Sequence, residues 1–217
     1  MSDFIVNDPV LTPAGFAWRA IWLKKGRALL VAVLAAALPA AGSSPAQADL
    51  AALQARAAQG DAEAQNALAN AYVSGPAASQ NPREALRLYQ QAASQGLAAA
   101  QFNLGMMYET GRGGVAADPA AAFTHYRRAA EQGFPPAQFN VGNMYAAGQG
   151  VKQDYGEAAR WFRQAADRGV AEAQYNLALA HELGRGVAKD EVAARRWYEA
   201  AAAQKYPRAQ YNLAIMR

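Results

Sequence analysis

The 217-residue sequence contains no cysteine. This absence excludes disulfide bonds, thiolate catalysis, cysteine-based metal sites and lipid attachment through an N-terminal cysteine. Histidine is almost as scarce, with two residues in the whole chain. A histidine-based metal or acid–base site therefore has few residues to draw on, and we expect no cofactor and no metal.

A large charge excess of one sign is also missing. The chain has 21 Lys and Arg residues and 17 Asp and Glu residues, a formal charge of +4. Four of the cations and two of the anions precede residue 49, which leaves an excess of +2 in the rest of the chain. So small an excess does not make the basic surface that nucleic-acid binding needs, and we expect no nucleic-acid partner.

Long hydrophobic runs are absent as well, because the apolar segment near the start, residues 28–38, has only 11 residues. Charged residues at 24–27 precede it, and Ala46-Gln47-Ala48 follows it. This order is typical of an export signal with cleavage near 48/49. The run is shorter than the roughly 20 residues that cross a bilayer. We therefore predict an N-terminal signal region at 1–48 and a separate domain at 49–217.

That division makes a prediction about location. A cleaved signal gives a periplasmic or secreted protein with no stable membrane span after cleavage. An uncleaved signal instead gives an inner-membrane signal-anchored protein that faces the periplasm.

The most regular feature of the chain is a repeated Ala-Gln pair. The spacings between successive glutamines are 36, 37, 36 and 36 residues, and the longer one contains an extra glycine in Gly113-Gly114. A fixed period of this length is typical of helical solenoids, in which each repeat buries its apolar face against its neighbours. The five glutamines are Gln65, Gln101, Gln138, Gln174 and Gln210.

Each period predicts two helices. Residues 98–110 carry apolar side chains at helical spacing, and Gly111 then ends the helix. Asp118 is a helix N-cap, and Pro119 follows it at the first helical position. The second helix runs to Gly133, so the unit is helix, loop, helix, turn.

Aligned repeats show a packed core. One column is apolar, the next column is alanine or glycine, and the second helices carry an aromatic column (Tyr89, Tyr126, Phe162 and Tyr198). Large side chains opposite small ones indicate helix packing. His125 and His181 occupy aromatic columns, so we interpret them as core side chains and predict no catalytic residue.

The sequence motif Ala-x-x-Ala-Gln-x-Asn-Leu-Gly-x-x-Tyr, followed by Gly-x-Gly-Val, Asp and Trp-Tyr/Phe-x-x-Ala-Ala-x-x-Gly, resembles the Sel-one-like repeat, a relative of the tetratricopeptide repeat. The resemblance implies an all-α fold, a right-handed α/α superhelical solenoid of four full repeats plus a terminal helix. The end units depart from the pattern: the first lacks Gly-x-Gly-Val, and Lys205 stands where glycine is expected.

In the tetratricopeptide architecture, first helices line the concave face, and the matching columns give a candidate peptide-binding site. Asparagine amides offer a donor and an acceptor to a peptide backbone, and aromatic rings supply apolar area. The alternative is that the asparagines bond only within the repeats. The candidate residues are Asn103, Asn140, Asn176, Asn212, Phe102, Phe139, Tyr175, Tyr211, Met106 and Asn143.

The resemblance implies a non-catalytic scaffold, adaptor or regulator of the bacterial cell envelope that binds a protein or peptide on the concave face. A module that binds envelope polysaccharide or peptidoglycan is the alternative, and a cell-wall or β-lactam hydrolase is a remote one. The terminal helix, residues 207–217, lacks a second helix of its own. It either caps the core or forms homo-oligomers.

Overall fold

The computed structural model describes residues 45–75 and 80–216 and contains ten α-helices there. Contacts divide the chain after Asp118 into two compact units, which are described separately. The N-terminal unit contains α1 (Pro45–Ala58), α2 (Ala62–Ser74), α3 (Pro82–Ser94) and α4 (Ala98–Thr110). The C-terminal unit contains α5 (Pro119–Glu131), α6 (Pro135–Ala147), α7 (Tyr155–Asp167), α8 (Ala171–Leu183), α9 (Glu191–Ala203) and α10 (Pro207–Ile215).

The prediction of an all-α fold of helix-turn-helix repeats is confirmed. The eight helices of the four full repeats have 13 residues each, α1 has 14, and the nine-residue α10 is the terminal half-unit. Residues 1–44 of the predicted signal region at 1–48 lie outside the described residues. None of the ten described helices combines the length and hydropathy of a membrane span.

Helix α1 precedes the first full repeat and was not predicted. Leu50 and Leu53 pack on the α2–α4 core, and Ala57 is buried in it. These three residues fall 36 positions before Leu86, Tyr89 and Ala93, so α1 occupies the place of the second helix of a preceding repeat. The expected domain boundary at 48/49 lies inside its first turn.

The Ala-Gln column has a specific bonding role. The Gln101 Nε2 donates to the Ala93 carbonyl at 2.7 Å, and Gln174 Nε2 donates to the Ala166 carbonyl at 3.1 Å. Both glutamines are buried, and Gln65 and Gln138 make the same bond. The glutamine thereby gives a carbonyl near the end of the preceding helix a second donor, besides the backbone N–H of the glycine three residues further on.

The Gly-x-Gly loops bring the backbones of neighbouring elements together. Gly150 has φ +67°, and a Cβ there would overlap the Pro119 carbonyl. Gly186 has φ +71° and lies in the same way over the Tyr155 carbonyl. Only glycine combines this left-handed backbone with so close an approach. At the terminal turn Lys205 takes φ +64° in the place of a glycine.

Candidate functional site

The aromatic part of the predicted peptide-binding surface lies in the core. Phe102, Phe139 and Tyr175 are all buried. The Phe139 ring packs on Phe162, with 6.1 Å between centroids, and the Tyr175 ring packs on Tyr198 at 5.6 Å. Of the four aromatic candidates, Tyr211 is the exposed one, at 67%.

The amide candidate of the N-terminal unit, Asn103, bonds to two asparagines that were not among the candidates, Asn66 and Asn70. Asn103 Nδ2 donates to Asn66 Oδ1 at 2.8 Å and to Asn70 Oδ1 at 3.3 Å. Asn70 Oδ1 also accepts the Tyr89 hydroxyl at 2.7 Å. Asn103 thus links two successive first helices, α2 and α4. Met106 lies one turn further along α4 and is half-buried.

In the C-terminal unit the amides follow two patterns. Asn212 Nδ2 donates to the hydroxyl of Tyr198 on the preceding second helix, at 2.8 Å. Asn176 Nδ2 instead donates to Asn143 Oδ1 at 3.2 Å, and the residue in the tyrosine column is here Phe162, which has no hydroxyl. Asn140 is half-buried on α6.

Asn176 is left with an unpartnered acceptor. Its side chain is buried, with 4% exposed, and Oδ1 has no hydrogen-bond partner among the described residues. A buried carbonyl oxygen without a partner is unusual, because it has lost its water without replacement. Gln138 Oε1 and His181 Nδ1 are likewise buried without a partner among the described residues.

Asn176 lines a small cavity between α7 and the two first helices beside it, with a volume of about 20 Å³. Four alanines and two aromatic residues, Tyr155 and Phe162, form most of the lining. The lining residues are Ala146, Tyr155, Ala158, Ala159, Phe162, Asn176, Leu179, Ala180 and Arg185.

The cavity exists because three columns carry unusually small residues at this place. Ala159 occupies the column of Leu86 and Phe123, which are buried in their own interfaces. Ala180 occupies the column of the buried Met107 and Met144. The third exception is Phe162, which lacks the hydroxyl group that the tyrosines of its column carry. Side chains that fill the other interfaces are therefore absent from this one.

Half-buried residues form the mouth of the cavity. The Arg185 guanidinium lies over the Tyr155 ring, 5.7 Å from its centroid. The Tyr155 hydroxyl accepts a bond from Gln153 Nε2 at 3.0 Å, which holds the ring in place. Leu179 on α8 completes the rim. The mouth therefore combines a cation, a ring and an aliphatic side chain.

Tyr155 and Arg185 are the ionisable side chains that line this cavity, and the shifted pKa values of histidine and acidic groups belong to residues elsewhere. Burial lowers the pKa of His125, with Arg128 as a second cause, and burial raises the pKa of Glu172. His181 Nε2 lies 3.4 Å from an Arg163 nitrogen. Within the described ranges, no three His, Asp or Glu residues lie close enough together to hold a metal ion.

The repeat columns contain a signal for this cavity. Ala159 stands in the column of Leu86 and Phe123, and Ala180 stands in the column of Met107 and Met144, which also contains Ala71. What could not be foreseen is that both exceptions, together with Phe162, border one space. Asn143 and Asn176 are the predicted site residues that the structure brings together here.

Comparison with known proteins identifies the repeat. The family model of the Sel1 repeat matches residues 62–97, 98–134, 135–170 and 171–206. A protective antigen of uropathogenic Escherichia coli with an SLR fold is 38% identical, with a TM-score of 0.74. A Sel1 repeat protein from Oxalobacter formigenes is 36% identical, with a TM-score of 0.73.

Those two structures match 77% and 78% of this chain, which spans 36% and 49% of their lengths. An immunity protein from Pseudomonas aeruginosa is 23% identical, with a TM-score of 0.52, over 94% of this chain and 68% of its own length. At that identity the likeness concerns the fold alone. No curated protein matches the chain.

Proposed function

Since the chain belongs to the Sel1 repeat family, we propose that it is a non-catalytic adaptor of the bacterial cell envelope that binds a protein or peptide partner on its first helices. Sel1 repeats generally serve as protein-interaction scaffolds. The envelope location rests on the export-signal pattern of residues 24–48.

The observation that carries the proposal is the surface of α10. Tyr211 is 67% exposed and Ile215 is 61% exposed on this helix, whereas the corresponding Phe139 and Tyr175 are buried. The half-buried Asn212 lies between them. Exposed aromatic and aliphatic side chains beside an amide favour a polypeptide partner, since apolar contact and backbone hydrogen bonds are both available.

Binding to a partner from the envelope tests this assignment. Full-length protein is used to isolate a partner from an envelope fraction, and the affinity of the purified partner is then measured for Tyr211→Ala and Ile215→Ala. We expect each substitution to weaken binding at least tenfold, as truncating a buried interface anchor does. Arg160→Ala on the outer side of α7 is the control, because that side chain is 74% exposed.

The same experiment separates the other functions. Retention on peptidoglycan or an exported polysaccharide, with no protein bound, would instead support the carbohydrate-binding alternative.

Sedimentation of the purified protein tests the homo-oligomer: a dimer that Tyr211→Ala dissociates would assign α10 to self-association. N-terminal sequencing of the protein from cells tests cleavage near 48/49, which would remove the first four residues of α1, about one turn.

A further inference from the structure

We propose that α10 binds a helical segment of its partner, which lies on α10 as the second helix of a repeat lies on its own first helix. This inference rests on the proposed function and specifies the shape and the sequence pattern of the partner segment. It combines an open face of α10, the contacts that cover the same face in other repeats, and the charge beside that face.

One face of α10 is open, although the same face is covered in the repeat before it. Gln210, Tyr211 and Ala214 are exposed and lie within two turns of one another. The corresponding residues of α8 are all buried, namely Gln174, Tyr175 and Ala178. On α8 the covering element is the second helix α9, and no described helix takes that place on α10.

The covered pair of α6 and α7 shows what fits such a face. The Phe139 ring of α6 packs on Phe162 of α7, with 6.1 Å between centroids. A Cβ on Gly142 would overlap the Phe162 ring and lie 3.3 Å from the Ala158 carbonyl oxygen. Ala214 stands in the small column of Gly142, so a helix can also approach α10 at short range.

The spacing of these contacts requires a helical partner. A helix presents residues i, i+4 and i+7 on one face, and α7 buries Ala158, Phe162 and Ala165 at this spacing. An extended segment turns successive side chains to opposite sides and cannot present the same set. We therefore expect a partner helix with a small residue at i, an aromatic residue at i+4 and a small residue at i+7.

Two free donors lie at the start of α10. Gln210 differs from the other four Ala-Gln glutamines, because its side chain makes no hydrogen bond within the described part of the chain. Lys205 is exposed in the turn before α10, and its ammonium group makes no ion pair among the described residues. A carboxylate beside them can accept from both.

The covered pairs show which partner position reaches these donors. In α7 it is Arg168, which donates to the carbonyl of Gly133 in the preceding turn. After α9 it is Gln204, which donates to the glutamine of its own repeat at 2.9 Å. Lys205 stands in the column of Gly133, so the same position of the partner helix, i+10, should carry a glutamate.

A helical peptide with this pattern tests the proposal. The probe is the acetylated, amidated sequence of residues 154–169 with Arg168→Glu, in which Arg163→Lys is joined to Asp167 by a side-chain lactam. Positions 163 and 167 are exposed in α7, and the lactam is needed because so short a peptide is scarcely helical alone. On titration into ¹⁵N-labelled full-length protein, we expect shifts of the amide signals of α10.

Two substitutions test the packing. A probe with Phe162→Ala should bind roughly tenfold more weakly or worse, since the ring is the central anchor. Ala214→Leu in the protein should weaken binding to a similar extent, because the longer side chain holds the helix away, and the fold should be retained because Ala214 is exposed. Ala203→Leu, at an exposed position on α9, is the matched control and should bind like the parent protein.

A further pair of measurements tests the charge. The probe that keeps Arg168 should bind about twofold more weakly than the glutamate probe, or worse, as the loss of an exposed ion pair predicts. Lys205→Gln should reduce this preference, because it removes the cation that the glutamate meets. Equal affinity of the two probes for the parent protein would overturn the assignment of an acidic residue.

No shift on α10, or binding that neither Phe162→Ala nor Ala214→Leu weakens, would overturn the proposal. A homodimer that the probe dissociates would do so as well, because a second copy would then cover this face. An envelope partner that needs Tyr211 and Ile215, but tolerates Ala214→Leu and excess probe, would overturn the helical docking and leave the adaptor function in place.

Discussion

Between α5 and α6 the Phe123 ring meets Tyr145 edge-on, with 5.2 Å between centroids, and Met144 is buried beside them. Between α7 and α8 the same three columns hold Ala159, His181 and Ala180. The helix lengths and the closing loops are the same in both pairs. The backbone of the repeat therefore does not depend on filling every interior position, and a pair can keep its geometry while its side chains leave a cavity.

The largest expected loss of stability comes from removing a ring from the packed α5–α6 pair. Phe123→Ala removes a buried ring, and the free energy of unfolding should fall by about 3–5 kcal/mol. Chemical denaturation of the full-length protein measures the change. Thr124→Ala, on the exposed side of α5, is the control and should change stability little. A loss below about 1 kcal/mol for Phe123→Ala would mean that the α5–α6 pair is not tightly packed either.

Substitutions of the loop glycines should cause the second largest loss of stability. Gly150→Ala and Gly186→Ala each place a Cβ on a carbonyl oxygen at positive φ, so each should cost about 2 kcal/mol or more. Gly169→Ala is the matched control, since it has φ +83° but open space around the Cβ position, and it should cost about 1 kcal/mol. A much smaller cost for Gly186→Ala than for Gly150→Ala would show that the α7–α8 pair adapts more easily.

The sequence predicted the fold well because each core position recurs with a similar residue type in the aligned repeats. Gly142 is an example: a glycine inside α6 predicted a close helix contact, and a Cβ there would overlap the Phe162 ring. Lys205 is another, since it adopts the left-handed backbone that its glycine column required. Local rules and a fixed period determine such features.

The candidate site was less predictable. The aromatic columns assigned to the peptide-binding face are core residues, because Phe139 and Tyr175 pack against the following second helices. A column of rings has the same periodicity whether it faces a groove or a neighbouring helix. The bond between Asn176 and Asn143 spans 33 residues, so it depends on how successive repeats stack.

A hydroxyl added to the α7–α8 pair should raise stability, by less than the preceding substitutions lower it. The Tyr198 hydroxyl lies within hydrogen-bond distance of Asn212. The new hydroxyl of Phe162→Tyr should lie in the same position next to Asn176. One satisfied hydrogen bond should raise the free energy of unfolding by about 1 kcal/mol. Tyr198→Phe is the reverse experiment and should lower stability by about 1–3 kcal/mol, because it leaves Asn212 and Glu182 without this partner. Denaturation curves of both variants give the two values, and a destabilised Phe162→Tyr protein would show that the cavity does not accept the hydroxyl.

The smallest effect concerns the residue before the aromatic column, which is His125 on α5 and Trp161 on α7. Burial, with a second contribution from Arg128, holds the pKa of His125 below its ordinary value of 6.5. As pH falls below that value, the unfolded chain takes up a proton before the folded one does, so stability decreases until the folded pKa is passed. The melting temperature should therefore fall between pH 7.5 and 5.5, and His125→Trp should remove the part of the fall that this imidazole causes. An identical pH dependence in the two proteins would assign the fall to other groups and leave His125 and Trp161 equivalent in the two pairs.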